Sequence, residues 1–468
     1  MDAEARVPQQ NAAACSTFCR LWSLAALFHL ASYNEWFASI FHFLLLGAAL
    51  ALFCRPNSLY RLLLLCALQV VQLAIQAPMV SNHWLFTGFI NATILATYLH
   101  ATLKKRGAAL DQADFYAAFA PLLRLELLLL YFFVVLHKFN VDFFSPDSSC
   151  AARFYLVQAE HYSFLPRSFT WAEGAIYFTL ACEILIPLLL CLRRTRNSGI
   201  MLGLLFHGLI SLNPVSRFYN FSSMLFALFF LFGPGNVFAL APEKFSGWKR
   251  KISRLSFGGT MLLVAISGAG ILFLLNYLNQ YLTTPGDMYL AAWILYCLLI
   301  IAAFSTTIIK KCACASMGAL LAPRHRWLLL LPALVFFNGI NPYIGLKTET
   351  AFAMYSNLRT EGGRSNHFFI PEELQFFSYQ QDLVQITSSS SHAIRGLTGR
   401  NQLIPFFELR RFSSQEPLAA VSYWRDGVST TVGSGANVPE LSRPLPLLLR
   451  KLLYFRPLEK MGAQKCTH

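Results

Sequence analysis

Long apolar runs recur between about residue 22 and residue 340, separated by short polar connections. They read as helices over residues 22–36, 38–54, 60–77, 84–102, 116–137, 172–192, 198–213, 218–240, 258–277, 287–309 and 327–341. Runs of this length match roughly 30 Å of hydrocarbon crossed at 1.5 Å per residue. The first is weak, interrupted by Asn34 and Glu35, and reads as an interfacial or re-entrant helix. That leaves about ten membrane spans.

The polar connections alternate in charge. Arg55 and Arg61; Lys104, Lys105 and Arg106; Arg193, Arg194 and Arg196; Lys244, Lys249, Arg250, Lys251 and Arg254; and Lys310, Lys311, Arg324 and Arg326 fill every second connection. The others carry only Arg153, Arg167 and Arg217. Basic loops stay on the cytoplasmic side, so this alternation predicts five cytoplasmic connections, with the rest facing a periplasm or an endoplasmic-reticulum lumen. From about Asn341 the apolar runs shorten to strand length and Gly, Ser, Arg, Glu and Asn become frequent. Three domains are therefore expected: a polar N-terminal segment over 1–21, a membrane domain over 22–341 and a soluble extracytoplasmic region over 342–468. In the last, Gln381–Thr387, Gln402–Phe412 and Leu418–Trp424 read as strands, the third closed by the turn Arg425-Asp426-Gly427.

Composition supports a bilayer as the solvent: 56% of the residues are hydrophobic and 13% charged, the reverse of a soluble domain of this length. The net charge of +15 is spread over loops and not gathered into an arm or domain, which argues against nucleic acid as a partner. Most of the eleven cysteines fall in apolar segments, as buried thiols commonly do. No disulfide framework is expected, although Cys150 and Cys466 could meet if both face an oxidising compartment. Cys312-Ala-Cys314 falls short of a zinc site, and no metal is expected. No phosphate loop, HExxH helix or nucleophile elbow occurs.

The most informative stretch is His137-Lys138-Phe139-Asn140-Val141-Asp142 at the outer end of the fifth apolar run. A lysine there can simply snorkel to the headgroups, but flanked by His137, Asn140 and Asp142 it also places a titratable amine against hydrophobic walls, where lysines act as bases. Arg124 and Glu126 lie inside the same run and need partners, and Glu183 of the next run is the expected partner of Arg124. An intramembrane ion pair among Arg124, Glu126 and Glu183 that only holds the bundle together is an equal reading. His207 is followed by Asn213, Arg217, Tyr219 and Asn220, which the topology puts at the same depth as Lys138. A lone intramembrane histidine is as readily an interhelical hydrogen-bonding group.

Residues from Tyr131 to about Phe238, with His137-Lys138-Phe-Asn-Val-Asp142, Phe206-His207 and the polar Asn213–Asn220 turn, resemble the HTTM membrane domain shared with vitamin K-dependent gamma-carboxylase. The stretch Pro342–Glu349 followed by Ser356–His367 is similar to the segment after the last span of bacterial relatives. Read alone it is an ordered polar loop in which Gly362-Gly363 permits unusual backbone angles and Lys347, Glu349, Arg359, Glu361 and His367 cover the outer mouth of the bundle. The resemblance implies a quinol-driven carboxylase of the carbon–carbon lyase class. Lys138 would be the base toward a reduced vitamin K-type quinone, His207 would hydrogen-bond the quinone or an intermediate, and O2 and CO2 would be co-substrates. His137, Asn140, Asp142, Asn213, Arg217, Tyr219 and Asn220 would line the quinone site, and a peptide or small molecule on the outer face would be the acceptor. The chain departs from the family in having His137-Lys138 where the family has paired lysines.

The expected fold is thus an all-α polytopic transmembrane bundle with a small, partly β extracytoplasmic tail. A non-catalytic quinone or lipid carrier, or a scaffold, is the rival from another class; a transporter built from duplicated halves would show an internal repeat, and none is evident.

Overall fold

A computed structural model describes residues 3–33, 35, 38–104, 110–233, 285–309, 321–398, 401–434 and 438–466. The expected span 258–277, the end of 218–240, Asn34, the basic groups Lys105–Arg106, Lys244–Arg254 and Lys310–Lys311, and the Cys312-Ala-Cys314 motif lie outside the described residues.

The described chain is mostly helical, with one small antiparallel sheet near the C-terminus. The main helices are α1 (Ala3–Ser32), α2 (Ile40–Cys54), α3 (Leu59–Gln76), α4 (Asn82–Lys104), α5 (Gln112–Leu136), α6 (Val141–Phe144), α7 (Cys150–His161), α8 (Phe169–Cys191), α9 (Arg196–Ile210), α10 (Tyr219–Phe229), α11 (Pro285–Ile309) and α12 (Leu330–Ile340). Five segments among the described residues are long and apolar enough to cross a membrane: Pro8–Ser32, Leu59–Gln76, Gln112–Leu136, Phe169–Cys191 and Met288–Ile309.

Two expectations change here. Residues 22–32 of the weak first run end a continuous helix that starts at Ala3, and Pro8–Ser32 stands among the five spanning candidates. Residues 3–21, taken as part of a polar N-terminal segment, are therefore helical: Ala12, Ala13 and Ala14 favour a helix, and Cys15, Phe18 and Trp22 pack inward. Secondly, several expected spans are shorter or more polar than five-turn apolar helices: α2 and α9 have 15 residues each. The 23-residue α4 carries His83, Thr87, Asn91, Thr93 and Thr97, all buried.

The chain divides into two compact units. The first holds Met1–Gln72, Thr87–Leu128 and Ile184–Pro332. Its interior is aromatic: Phe18 stacks on Trp22 with ring centres 5.5 Å apart, and Phe28 meets Trp293 edge-on at 5.3 Å. Several buried polar groups are bonded to one another, as an apolar interior favours. The Trp22 indole N–H donates to Asn91 Oδ1 at 3.0 Å, and Asn91 Nδ2 donates to Gln69 Oε1 at 2.9 Å, linking α1, α4 and α3. Thr93 Oγ1 donates to Glu126 Oε1 at 2.5 Å.

The second unit holds Leu73–Phe86, Leu129–Glu183 and Ala333–His468. Its sheet runs in the order β4-β3-β1-β2-β5, with β1 Leu383–Ser389, β2 Gln402–Pro405, β3 Val421–Arg425, β4 Val428–Val432 and β5 Leu458–Glu459. Alternation buries Val384 and Ile386 on β1 and Val421 and Tyr423 on β3 against Ile404, Phe406 and Leu409. The expected turn closes the β3–β4 hairpin, with Asp426 at φ 49° and Gly427 at φ 79°, the left-handed pair that a two-residue hairpin needs. The expected strand Gln402–Phe412 is corrected: only Gln402–Pro405 is extended, and Phe406–Gln415 is a helix, α13. Pro405 has no N–H for a ladder, and Phe406, Leu409 and Phe412 recur at helical spacing toward the core.

Candidate functional site

Helix α5 ends at Leu136, and the next residues turn before Asn140 starts α6, its Oδ1 accepting the Phe143 N–H at 2.9 Å. Lys138 lies in that turn. Its Nζ lies 2.6 and 2.5 Å from the two carboxylate oxygens of Glu183 on α8, and 5.7 Å from the centre of the Phe143 ring. The Lys138 and Glu183 side chains are 7% and 10% exposed, so the pair is held in an apolar, nearly dry environment. Glu183 is thus the partner of Lys138 and not, as expected, of Arg124. Lys138, two residues past the end of α5, and Glu183, within α8, both lie in the second unit, while Arg124 finds its acceptors in the first. There Arg124 Nε donates to the Leu231 carbonyl at 2.9 Å, and its guanidinium faces the Tyr116 hydroxyl and the Phe232 ring. Glu126, also in the first unit, takes the Thr93 hydroxyl.

The groups flanking Lys138 are engaged internally. His137 is fully buried, with Nδ1 2.8 Å from the Tyr343 hydroxyl and Nε2 3.1 Å from the Ala351 carbonyl. Asn140 Nδ2 donates to the carbonyls of His137 and Ser356, both at 2.7 Å. Asp142 Oδ2 accepts from Asn366 Nδ2 at 2.7 Å and from the Gln464 N–H at 2.9 Å. Backbone bonds Val141 N to Asn366 O and Phe368 N to Phe139 O complete the seam. The polar stretch 342–367 is therefore folded onto the His137–Asp142 turn. The disulfide Cys150–Cys466 secures the end of the chain to the start of α7.

That stretch is conformationally unusual. Thr350, Phe352, Tyr355 and Asn357 all have φ between 55° and 63°, and the expected Gly362-Gly363 pair has φ 72° and 63°. Four left-handed non-glycine residues within eight positions hold only where surrounding bonds impose them. Here Asn338 Nδ2 holds the Thr350 carbonyl at 2.9 Å, Asn82 Oδ1 takes the Phe352 N–H at 2.6 Å, and the Asn357 side chain bonds Ser148, Gln464 and Cys150. Lys347 is buried, donates to Thr350 Oγ1 at 3.1 Å, and is pushed by that burial down to about 7. Tyr343 and Asn366 fall in stretches the sequence singled out, but their partners did not show there, and Gln464 carried no signal, since each bond spans more than 200 positions.

The second set of expected residues belongs to the first unit. The His207 ring is buried among Phe206, Phe221 and Phe229, with ring centres 5.0 to 5.8 Å away. Asn213 Oδ1 accepts the Val215 and Ser216 N–H groups, closing its own turn. Arg217 is exposed with φ 39° and donates to the Pro214 carbonyl, Tyr219 packs on Trp293 at 5.4 Å, and Asn220 Oδ1 accepts the Phe221 N–H. Among the described residues no group of three His, Cys, Asp or Glu side chains is placed to hold a metal ion.

A reduced naphthoquinone would need a flat apolar wall beside a proton acceptor. The Lys138 amine has Phe143 against it, and Phe144 follows with ring centres 6.0 Å from both Phe143 and Tyr177. With two N–H groups on Glu183, the ammonium retains one donor. These residues supply the aromatic wall and a hydrogen-bond donor. Compared with protein-family models, curated proteins and solved structures, the chain matches none.

Proposed function

We propose that the chain is a multi-pass membrane protein of the HTTM type, with about ten spans, that performs acid–base chemistry on a lipid-soluble quinol and couples it to carboxylation. The observation that carries this reading is the buried Lys138–Glu183 pair beside an aromatic wall. Passing one proton within the pair converts ammonium and carboxylate into amine and carboxylic acid without changing net charge. The amine form is a base that the apolar surroundings do not penalise. Lys138 would then accept a hydroxyl proton from a quinol held against Phe143, becoming ammonium again and leaving a quinolate, while Glu183 keeps as a carboxylic acid the proton it took from the lysine until that proton is released. The reduced quinone would supply, with O2, the strong base that carboxylation by CO2 requires. The Cys150–Cys466 disulfide supports placing α7 and the tail on one side, in a periplasm or endoplasmic-reticulum lumen, opposite the basic loops.

A second reading has its own support. Both Glu183 oxygens are engaged by one ammonium, and His137, Asn140 and Asp142 are spent on internal bonds, as in a structural staple of a carrier or scaffold. Epoxidation of a reduced naphthoquinone by purified protein separates the two. Lys138→Ala should abolish it. Because that variant leaves Glu183 uncompensated, the double variant Lys138→Met/Glu183→Gln, checked for its disulfide and for monodispersity, is measured beside it. Retained epoxidation in the double variant would remove the enzymatic reading and leave the staple.

A further inference from the structure

The second unit exposes large hydrophobic side chains where the chain is not helical. Phe368, Phe369, Phe376 and Phe377 are 50%, 70%, 80% and 42% exposed within the segment 364–377, although its neighbours include Arg364, Glu372 and Glu373. A polar loop in water gains nothing from four such rings, and clusters of this kind mark an interaction surface. Their exposure is structurally imposed. Phe377 N donates to the Ile344 carbonyl at 3.0 Å, and a Cβ on Gly345, itself at φ 82°, would stand 2.0 Å from the Phe377 carbonyl oxygen. The two backbones are pressed together, which fixes the path of the chain at Phe376 and Phe377. Phe368 is held by the bond from its N–H to the Phe139 carbonyl, and His367 Nδ1 accepts the N–H of Phe369.

The rings continue into a spanning helix. Phe368 lies 5.7 Å from Phe144, and Phe144 lies 6.0 Å from Tyr177 on α8, whose Tyr177 and Phe178 are themselves 53% and 52% exposed. At the start of that helix Phe169 and Trp171 are 60% and 58% exposed, where aromatic residues mark a bilayer surface. We propose that segment 364–377 is a monotopic contact that beds Phe368, Phe369, Phe376 and Phe377 into the lipid leaflet beside α8, so that the C-terminal region lies on the membrane. The occupant is phospholipid. Arg364 is outnumbered by Glu372 and Glu373 in the same segment, and a segment without excess positive charge selects the acyl boundary and not an anionic headgroup. This contact rests on the membrane reading and is independent of the carboxylase reading.

The full chain in phosphatidylcholine nanodiscs, carrying p-benzoylphenylalanine in turn at Phe369, Phe376, Phe178 and Asp426, tests it by mass spectrometry of photo-adducts. All four side chains are exposed, so the label can reach its surroundings at each position. Expected are phospholipid adducts at 369, 376 and 178, and none above background at the hairpin tip, 426. Adducts at 178 with none at 369 and 376 would overturn the contact while keeping the spanning helix. Absence at all three would overturn the contact and the membrane reading of α8 together.

Discussion

Removing the Lys138 amine would leave the Glu183 carboxylate buried without its counter-charge. Breaking such a pair costs about 3–5 kcal/mol, whereas replacing both partners with uncharged groups of similar size is close to neutral. Lys138→Ala is therefore expected to lower the thermal midpoint sharply, and Lys138→Met/Glu183→Gln to recover most of the loss. Equal midpoints for the two variants would mean that the pair is not desolvated. Lys347 acts in the opposite sense. Burial pushes it down to about 7, against roughly 10.4 in an unfolded chain. Between these values the unfolded state binds a proton that the folded state lacks, so this residue makes stability rise with pH across that window and is least favourable below pH 7. The nearby Glu349 carboxylate works against the shift without cancelling it. Lys347→Met should flatten the stability profile between about pH 7 and 10; an unchanged slope in thermal midpoints would refute it. At this scale the sequence announced Lys138 and Glu183 by their charge inside apolar runs. It could not pair them, because both helices carry more than one candidate and the choice depends on which ends face each other.

Among the elements, two glycines separate conformational cost from steric cost. Gly427 sits at φ 79°, and a Cβ placed there would meet nothing within 4 Å, so Gly427→Ala should cost only about 1 kcal/mol, the strain of a left-handed alanine. Gly345 adds to the same strain a carbonyl oxygen at 2.0 Å, and backbone cannot swing aside as a side chain can. Gly345→Ala should therefore be the more damaging by thermal midpoint and should loosen the Phe377–Ile344 bond, read as faster amide exchange at Phe377. Equal losses at the two sites would show that the 375–377 segment simply shifts away. Strands and turn were legible here because alternation in Val384-Gln385-Ile386 and the Asp426-Gly427 pair are local signals. The helix Phe406–Gln415 was not, because Phe406-Phe407 satisfies both periods and only the core against β1 chooses between them.

For the molecule as a whole, the Cys150–Cys466 disulfide closes a loop of 316 residues. Cross-links of long loops stabilise typically by roughly 2–5 kcal/mol. Cys466→Ser should lower the thermal midpoint and free the end of the chain to proteolysis, and protein purified without reductant should carry no accessible thiol at 150 or 466. Both thiols alkylating rapidly in unreduced protein would show that the two ends do not meet. The apolar runs determined that this chain has helices of membrane-spanning length, and the change of composition near Asn341 determined that a different kind of structure follows, because burial of apolar surface is written locally and repeats with the period of each element. The tertiary structure decided what no period encodes: that α1 begins at Ala3, that Glu183 answers Lys138, that Cys466 reaches Cys150, and that residues 342–367 fold in left-handed turns onto His137–Asp142. Those are contacts between distant positions, and their partners are selected by geometry once the helices have packed.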